Sequence, residues 1–188
     1  MMIGMQPEVL SGLIGFGGAV VGAGAAIVGT AIQQKHAKKM AQAEREANRQ
    51  EAAFETALQA VFAAQDLFRR RWGGRPAEEG WEQKVNTEAD RLRLAMITIA
   101  QPELQQRLKE TAEMLRYWKH VVPFGAHDPD RYRAIHQVID HMLEVFGAYR
   151  SSGAVPPPSK EYAEAKGNLD TWIEEMEDQE LREREGQR

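Results

Sequence analysis

Gln33 to Trp72 reads QQKHAKKMAQAEREANRQEAAFETALQAVFAAQDLFRRRW, forty residues without a glycine or proline. Ala, Gln, Glu, Arg and Lys dominate it, and all are strong helix formers. Within it the apolar pattern changes. Met40, Ala43, Ala47, Gln50, Phe54, Ala57 and Val61 keep a 3-4 spacing, but the early positions are Ala and Gln, which make a weak coiled-coil seam. From Phe54, with Leu58, Val61, Phe62 and Phe68, the stripe widens into the inner face of a helix that packs in a bundle. The segment therefore predicts a helical stalk over residues 33–53, then entry into a packed helical domain. Its end, Arg69, Arg70, Arg71 and Trp72, with Arg75 beyond, suits a helix C-terminus, where cations meet the negative end of the dipole and the last carbonyls.

Onward from Trp72 the same period recurs. Gly73, Gly74 and Pro76 break the helix. A second helix is expected over about Ala77–Ala100, with Trp81, Val85, Ala89, Leu92, Met96 and Ile99 inward. Pro102 suits the first position of a third helix, expected to run to Val122; its stripe is Leu104, Leu108, Ala112, Leu115, Trp118 and Val122. A fourth, about Asp130–Tyr149, carries Tyr132, Ile135, Ile139, Met142, Phe146 and Tyr149. No segment alternates with period two between turn residues, so strands are not expected. Ser151–Ser159, SSGAVPPPS, reads as a stiff linker. A last helix, Lys160 to about Arg184, has a small apolar patch of Tyr162, Leu169, Trp172, Ile173 and Met176 ahead of an acidic tail. From Glu161 onward there are ten acidic and four basic side chains.

Backward from Gln33 lies VLSGLIGFGGAVVGAGAAIVGTAI, residues 9–32, with no charged side chain. As a helix rising about 1.5 Å per residue it is long enough to cross a hydrocarbon core of about 30 Å. A secretory signal would need a positive n-region and a shorter apolar core; here the first eight residues hold no Lys or Arg and include Glu8. The positive charges come after the run. Lys35, Lys38 and Lys39 are expected to stay cytoplasmic and to place the N-terminus outside, in a single pass of the inner membrane. Ser11, Gly15, Gly18, Gly22, Ala25 and Gly29 follow a 4-3-4-3-4 spacing and form a seam of small residues, with a GxxxG pair at Gly18 and Gly22. Such a seam lets a second helix backbone approach closely, so self-association or docking to another membrane protein is expected.

The layout resembles a loose group of uncharacterised single-pass membrane proteins from GC-rich bacteria that carry a cytoplasmic helical domain. Gly22 to Thr30, Gln33 to His36 and the stalk to about Glu55 carry the likeness, about a third of the chain. The resemblance implies a membrane location and no known activity.

Composition narrows the chemistry. Net charge is −4 and pI about 5.8, so the basic footprint of a nucleic-acid binder is missing. Mean hydropathy is −0.54 despite the apolar run, so the remainder is markedly polar. There is no cysteine, which removes disulfides, thiolate nucleophiles and cysteine-ligated zinc. No phosphate-binding loop, nucleophile elbow, dinucleotide fingerprint or HExxH is present, and no cofactor or small-molecule ligand is expected. The densest reactive set is HDPDRYRAIHQVIDHM, with His127, Asp128, Asp130, His136, Asp140 and His141. His136 and Asp140, four apart, share a helix face and are the candidate metal ligands. The paired Glu-x-x-His motifs of bundle metal sites are missing, so no metal is expected.

The resulting expectation is an all-α chain in which a transmembrane helix continues into a stalk and an antiparallel helical bundle. Its divisions are 1–8 outside the membrane, 9–32 spanning, 33–53 stalk, 54–150 four-helix bundle, 151–159 linker, and 160–188 C-terminal helix with tail. The expected function is that of a membrane-anchored adaptor or scaffold whose partners are the bilayer and a second membrane helix. A pore-forming effector ranks behind it, since only Ser11 and Thr30 supply polar groups to the apolar run. A metal-dependent enzyme built on the His and Asp cluster is the third alternative.

Overall fold

The structure is a computed structural model. It describes residues 7–72 and 79–186, and side chains over 33–72 and 79–184. Among the described residues all regular structure is helical: α1 (Pro7–Trp72), α2 (Trp81–Thr98), α3 (Pro102–Arg116), a 3-10 turn (Trp118–His120), α4 (Asp128–Ser152) and α5 (Lys160–Gly186). No described helix is long and apolar enough to cross a membrane. The side chains of the apolar run 9–32, on which the spanning segment and its small-residue seam were expected, lie outside the described residues.

Backbone contacts divide the chain into two units, Met1–Asn48 and Arg49–Arg188. In the first, the described side chains of Gln33 to Asn48 are exposed, apart from half-buried Ala41. The seam residue Met40 is 72% exposed.

The second unit is the bundle. The later seam positions turn into its core: Ala53, Phe54, Ala57, Ala60, Val61, Ala64 and Phe68 are all buried. Ring contacts fix the directions of the helices. Phe54 of α1 meets Phe146 of α4 at 5.1 Å, and Phe68 meets Tyr132 at 6.4 Å, so α1 and α4 run antiparallel. Phe68 also lies 5.5 Å from Trp81 and 5.7 Å from Trp118, which joins the start of α2 and the end of α3 to the same end of the bundle. Edge-to-face pairs of this kind contribute about 0.5–1.5 kcal/mol each beyond their burial.

The apolar stripes of α2, α3 and α4 face inward as their spacing predicts. Val85, Ala89 and Leu92, then Leu104, Leu108 and Leu115, then Ile135, Ile139 and Met142 are wholly buried. α5 adds to that core through Tyr162, Ala165 and Leu169. The linker thus brings the chain back onto the bundle.

The largest departures from the expected element ends are at the start of α2 and the end of α3; α4 runs two to three residues longer at each end than expected. α2 begins at Trp81, after Gly80, which sits at φ 72. An L side chain is strained in that left-handed conformation, and glycine is not. α3 stops at Arg116 instead of running to Val122, and the chain tightens into the 3-10 turn. Pro123 keeps only Val122 out of helical geometry, so the stop six residues earlier answers to packing. Stopping early stacks Trp118 on Tyr132 at 5.4 Å.

Candidate functional site

The densest buried polar cluster lies where α5 crosses α3 and α4. Arg107, Glu110 and Thr111 occupy one face of α3 at i, i+3 and i+4. Arg107 Nη1 donates to Glu110 Oε2 at 3.1 Å, and Gln106 Nε2 donates to Glu110 Oε1 at 2.9 Å. Thr111 Oγ1 donates back to the Arg107 carbonyl at 2.8 Å. Into this face α5 inserts Tyr162. Its hydroxyl lies 3.2 Å from Thr111 Oγ1, 3.2 Å from the Arg107 carbonyl and 3.3 Å from Glu110 Oε2. The Arg107 guanidinium lies over the Tyr162 ring at 4.9 Å. Burial pushes the Tyr162 hydroxyl well above its ordinary pKa, so it stays protonated and acts as a donor.

His141 of α4 closes the cluster, its ring 4.6 Å from that of Tyr162. It is 4% exposed, and neither ring nitrogen has a hydrogen-bond partner. Burial lowers its pKa, and the positive charge of Arg107 adds to the effect; Glu144 opposes it. The imidazole is therefore held neutral. Taken together, the cluster satisfies its own donors and acceptors apart from this ring and Arg107 Nε. Its chemistry is that of a polar latch between helices.

The candidate ligands His136 and Asp140 each have a neighbour of their own. His136 is half-buried with its ring 5.9 Å from Trp72. Burial lowers its pKa, against the pull of Asp140. Asp140 is exposed and accepts a hydrogen bond from Gln65 Nε2 at 3.3 Å. His120, at the end of the preceding turn, stacks flat on Trp172 at 3.8 Å. Among the described residues no three His, Asp or Glu side chains are grouped to hold a metal ion.

The basic run at the end of α1 is partly self-neutralised. Arg69 and Arg70 both pair with Asp66, at 3.3 and 2.6 Å. An open groove of about 370 Å³ lies beside α5, lined among others by Arg93, Arg116, Tyr117, Trp172 and Met176. Arg116 is ion-paired to Asp90.

Lys35, Lys38 and Lys39 are exposed on α1. The proposed interface residues Ser11, Gly15, Gly18, Gly22, Ala25 and Gly29 lie outside the described side chains. The latch residues Arg107, Glu110, Thr111 and Tyr162 carry no sequence signature, because they meet only through the tertiary packing of α5. The one available hint is polar Thr111 beside the apolar stripe of α3. No protein-family profile, curated protein or solved structure matches the chain.

Proposed function

We propose that the chain is a membrane-anchored helical adaptor. In this reading residues 9–32 span the inner membrane, with the N-terminus outside and the bundle in the cytoplasm. The seam of Ser11, Gly15, Gly18, Gly22, Ala25 and Gly29 pairs with a second copy or with another membrane protein. One observation carries the reading: a 24-residue run without a charge, within helix α1, is followed directly by Lys35, Lys38 and Lys39. An apolar helix of that length with trailing cations is what single-pass anchoring with a cytoplasmic body requires. The bundle is then what the anchor displays at the membrane.

Cysteine-free crosslinking in membranes tests the pairing. An amine-reactive crosslinker is expected to trap a dimer or higher species from the wild type, and Gly18→Leu with Gly22→Leu is expected to abolish it. Crosslinked species that persist unchanged in the double variant would contradict the seam. Ion leakage from vesicles loaded with the protein would favour the pore-forming alternative instead.

A further inference from the structure

We infer that Lys35, Lys38 and Lys39 form a contact site for anionic lipid headgroups. The inference rests on the anchor reading above and adds the lipid class to it. No Asp or Glu occurs from Val9 to Ala43, so none of the three lysines has an acidic neighbour at i±3 or i±4 on the helix. All three are exposed, so each ammonium is open to an outside partner.

Their directions agree. At about 100° per residue, Lys35, Lys38, Lys39 and Arg45 fall within an arc of about 120° on α1, with Glu44 on the opposite side; Glu46 shares the arc but lies about 10.5 Å further along the axis than Lys39. Gln42, neutral and exposed, lies on the same face. The result is a basic face directly after an apolar run.

Distance along the helix selects the lysines from the other cations. At about 1.5 Å per residue, Lys35 lies about 4.5 Å beyond Ile32, Lys38 about 9 Å and Lys39 about 10.5 Å. The headgroup layer extends about 5–8 Å beyond the hydrocarbon on each side, and charges act over about 8 Å further at physiological salt. All three lysines fall inside that range. Arg45, about 20 Å out, and Glu46, about 21 Å out, fall beyond it. A phosphate-bearing headgroup of net negative charge is the ligand this placement suits. Each cation near such a surface strengthens association about fivefold.

The test uses the full chain in vesicles of phosphatidylcholine and phosphatidylglycerol at 7:3. After mild detergent extraction, the lipid that copurifies is measured by mass spectrometry, and alkaline carbonate extraction of the same vesicles reports insertion separately. The wild type is expected to retain phosphatidylglycerol at least threefold above its bulk share. That enrichment is expected to vanish in the combined Lys35→Gln, Lys38→Gln and Lys39→Gln variant, to fall at 0.5 M salt, and to survive Arg45→Gln. Equal retention by wild type and triple variant overturns the proposal, as does a loss of enrichment in Arg45→Gln as large as in the triple variant. A chain that resists carbonate yet shows no enrichment keeps the anchor and loses the lipid site. A chain released by carbonate that still binds only phosphatidylglycerol-containing vesicles, through the lysines, loses the anchor and keeps the site.

Discussion

Replacing Tyr162 by Phe removes one hydroxyl and leaves the ring in place, so it isolates the polar half of the contact between α5 and the bundle. The hydroxyl holds one proton and lies 3.2–3.3 Å from the Thr111 hydroxyl, the Arg107 carbonyl and the Glu110 carboxylate. None of these is stranded when it goes. Thr111 still donates to the Arg107 carbonyl at 2.8 Å, and Glu110 keeps Arg107 Nη1 and Gln106 Nε2. The cost is therefore that of one hydrogen bond to a partly buried acceptor, about 1–1.5 kcal/mol. Tyr162→Ala also removes a ring that is wholly buried, and that leaves a cavity worth about 3–5 kcal/mol. Hydrogen exchange of the α5 backbone amides, read on the full chain in detergent, separates these effects from those on the rest of the bundle. Protection over Ala163 to Trp172 is expected to fall about tenfold in Tyr162→Phe, and to approach that of a free helix in Tyr162→Ala. Unchanged protection in the Ala variant would refute the docking of α5 through Tyr162. Equal losses in both variants would mean that the ring contributes nothing.

Three further outcomes follow from the packing. His141 is held neutral by burial, so its folded pKa lies below the ordinary 6.5 while the unfolded chain titrates near that value. The unfolded state then binds more protons, and stability is complete above about pH 6.5 and is lost as pH falls from there through the folded value; His120 and His136 are shifted the same way. The urea midpoint is expected to drop between pH 7.5 and pH 5.5, and His141→Leu is expected to flatten that drop. Phe68→Ala empties the meeting point of Trp81, Trp118 and Tyr132 and is expected to cost about 3–5 kcal/mol in chemical denaturation. Two glycines of α4 and its cap should respond with opposite signs. Nothing lies within 4 Å of an added Cβ at Gly147 or at Gly153, but Gly153 sits at φ 71 and Gly147 has ordinary helical geometry. Gly147→Ala is expected to stabilise by about 0.5–1 kcal/mol, and Gly153→Ala to destabilise by about 1–2 kcal/mol.

Much of the helical architecture was legible because burial in a bundle imposes a period on the sequence. The stripes of α2, α3 and α4 could be written down residue by residue, since Val85, Leu108 and Ile139 sit where that period puts them. The change of character at Phe54 was legible for the same reason: Ala and Gln give way to residues large enough to fill a core. The break after Arg116 was not legible, because Tyr117 to Val122 contains no helix breaker and the turn there answers to where Trp118 packs. The latch was hidden for a related cause. Tyr162 and Glu110 are 52 residues apart, and no local pattern announces that a tyrosine after a proline linker will reach a carboxylate on α3. The spacing of His136 and Asp140 puts them on one helix face and makes them candidate ligands, with no metal expected. Their surroundings differ, since one ring lies against Trp72 and the other side chain is engaged by Gln65.

Membrane insertion of the apolar run is the claim on which the functional account stands. Alkaline carbonate extraction of cell membranes, followed by protease digestion of sealed inner-membrane vesicles of known sidedness, tests it in one preparation. The account predicts that the chain stays in the carbonate pellet. It also predicts that the bundle, probed through an epitope after Arg188, is digested only when the cytoplasmic face is outward. A chain released to the supernatant by carbonate, or a bundle digested only from the opposite face, would contradict it.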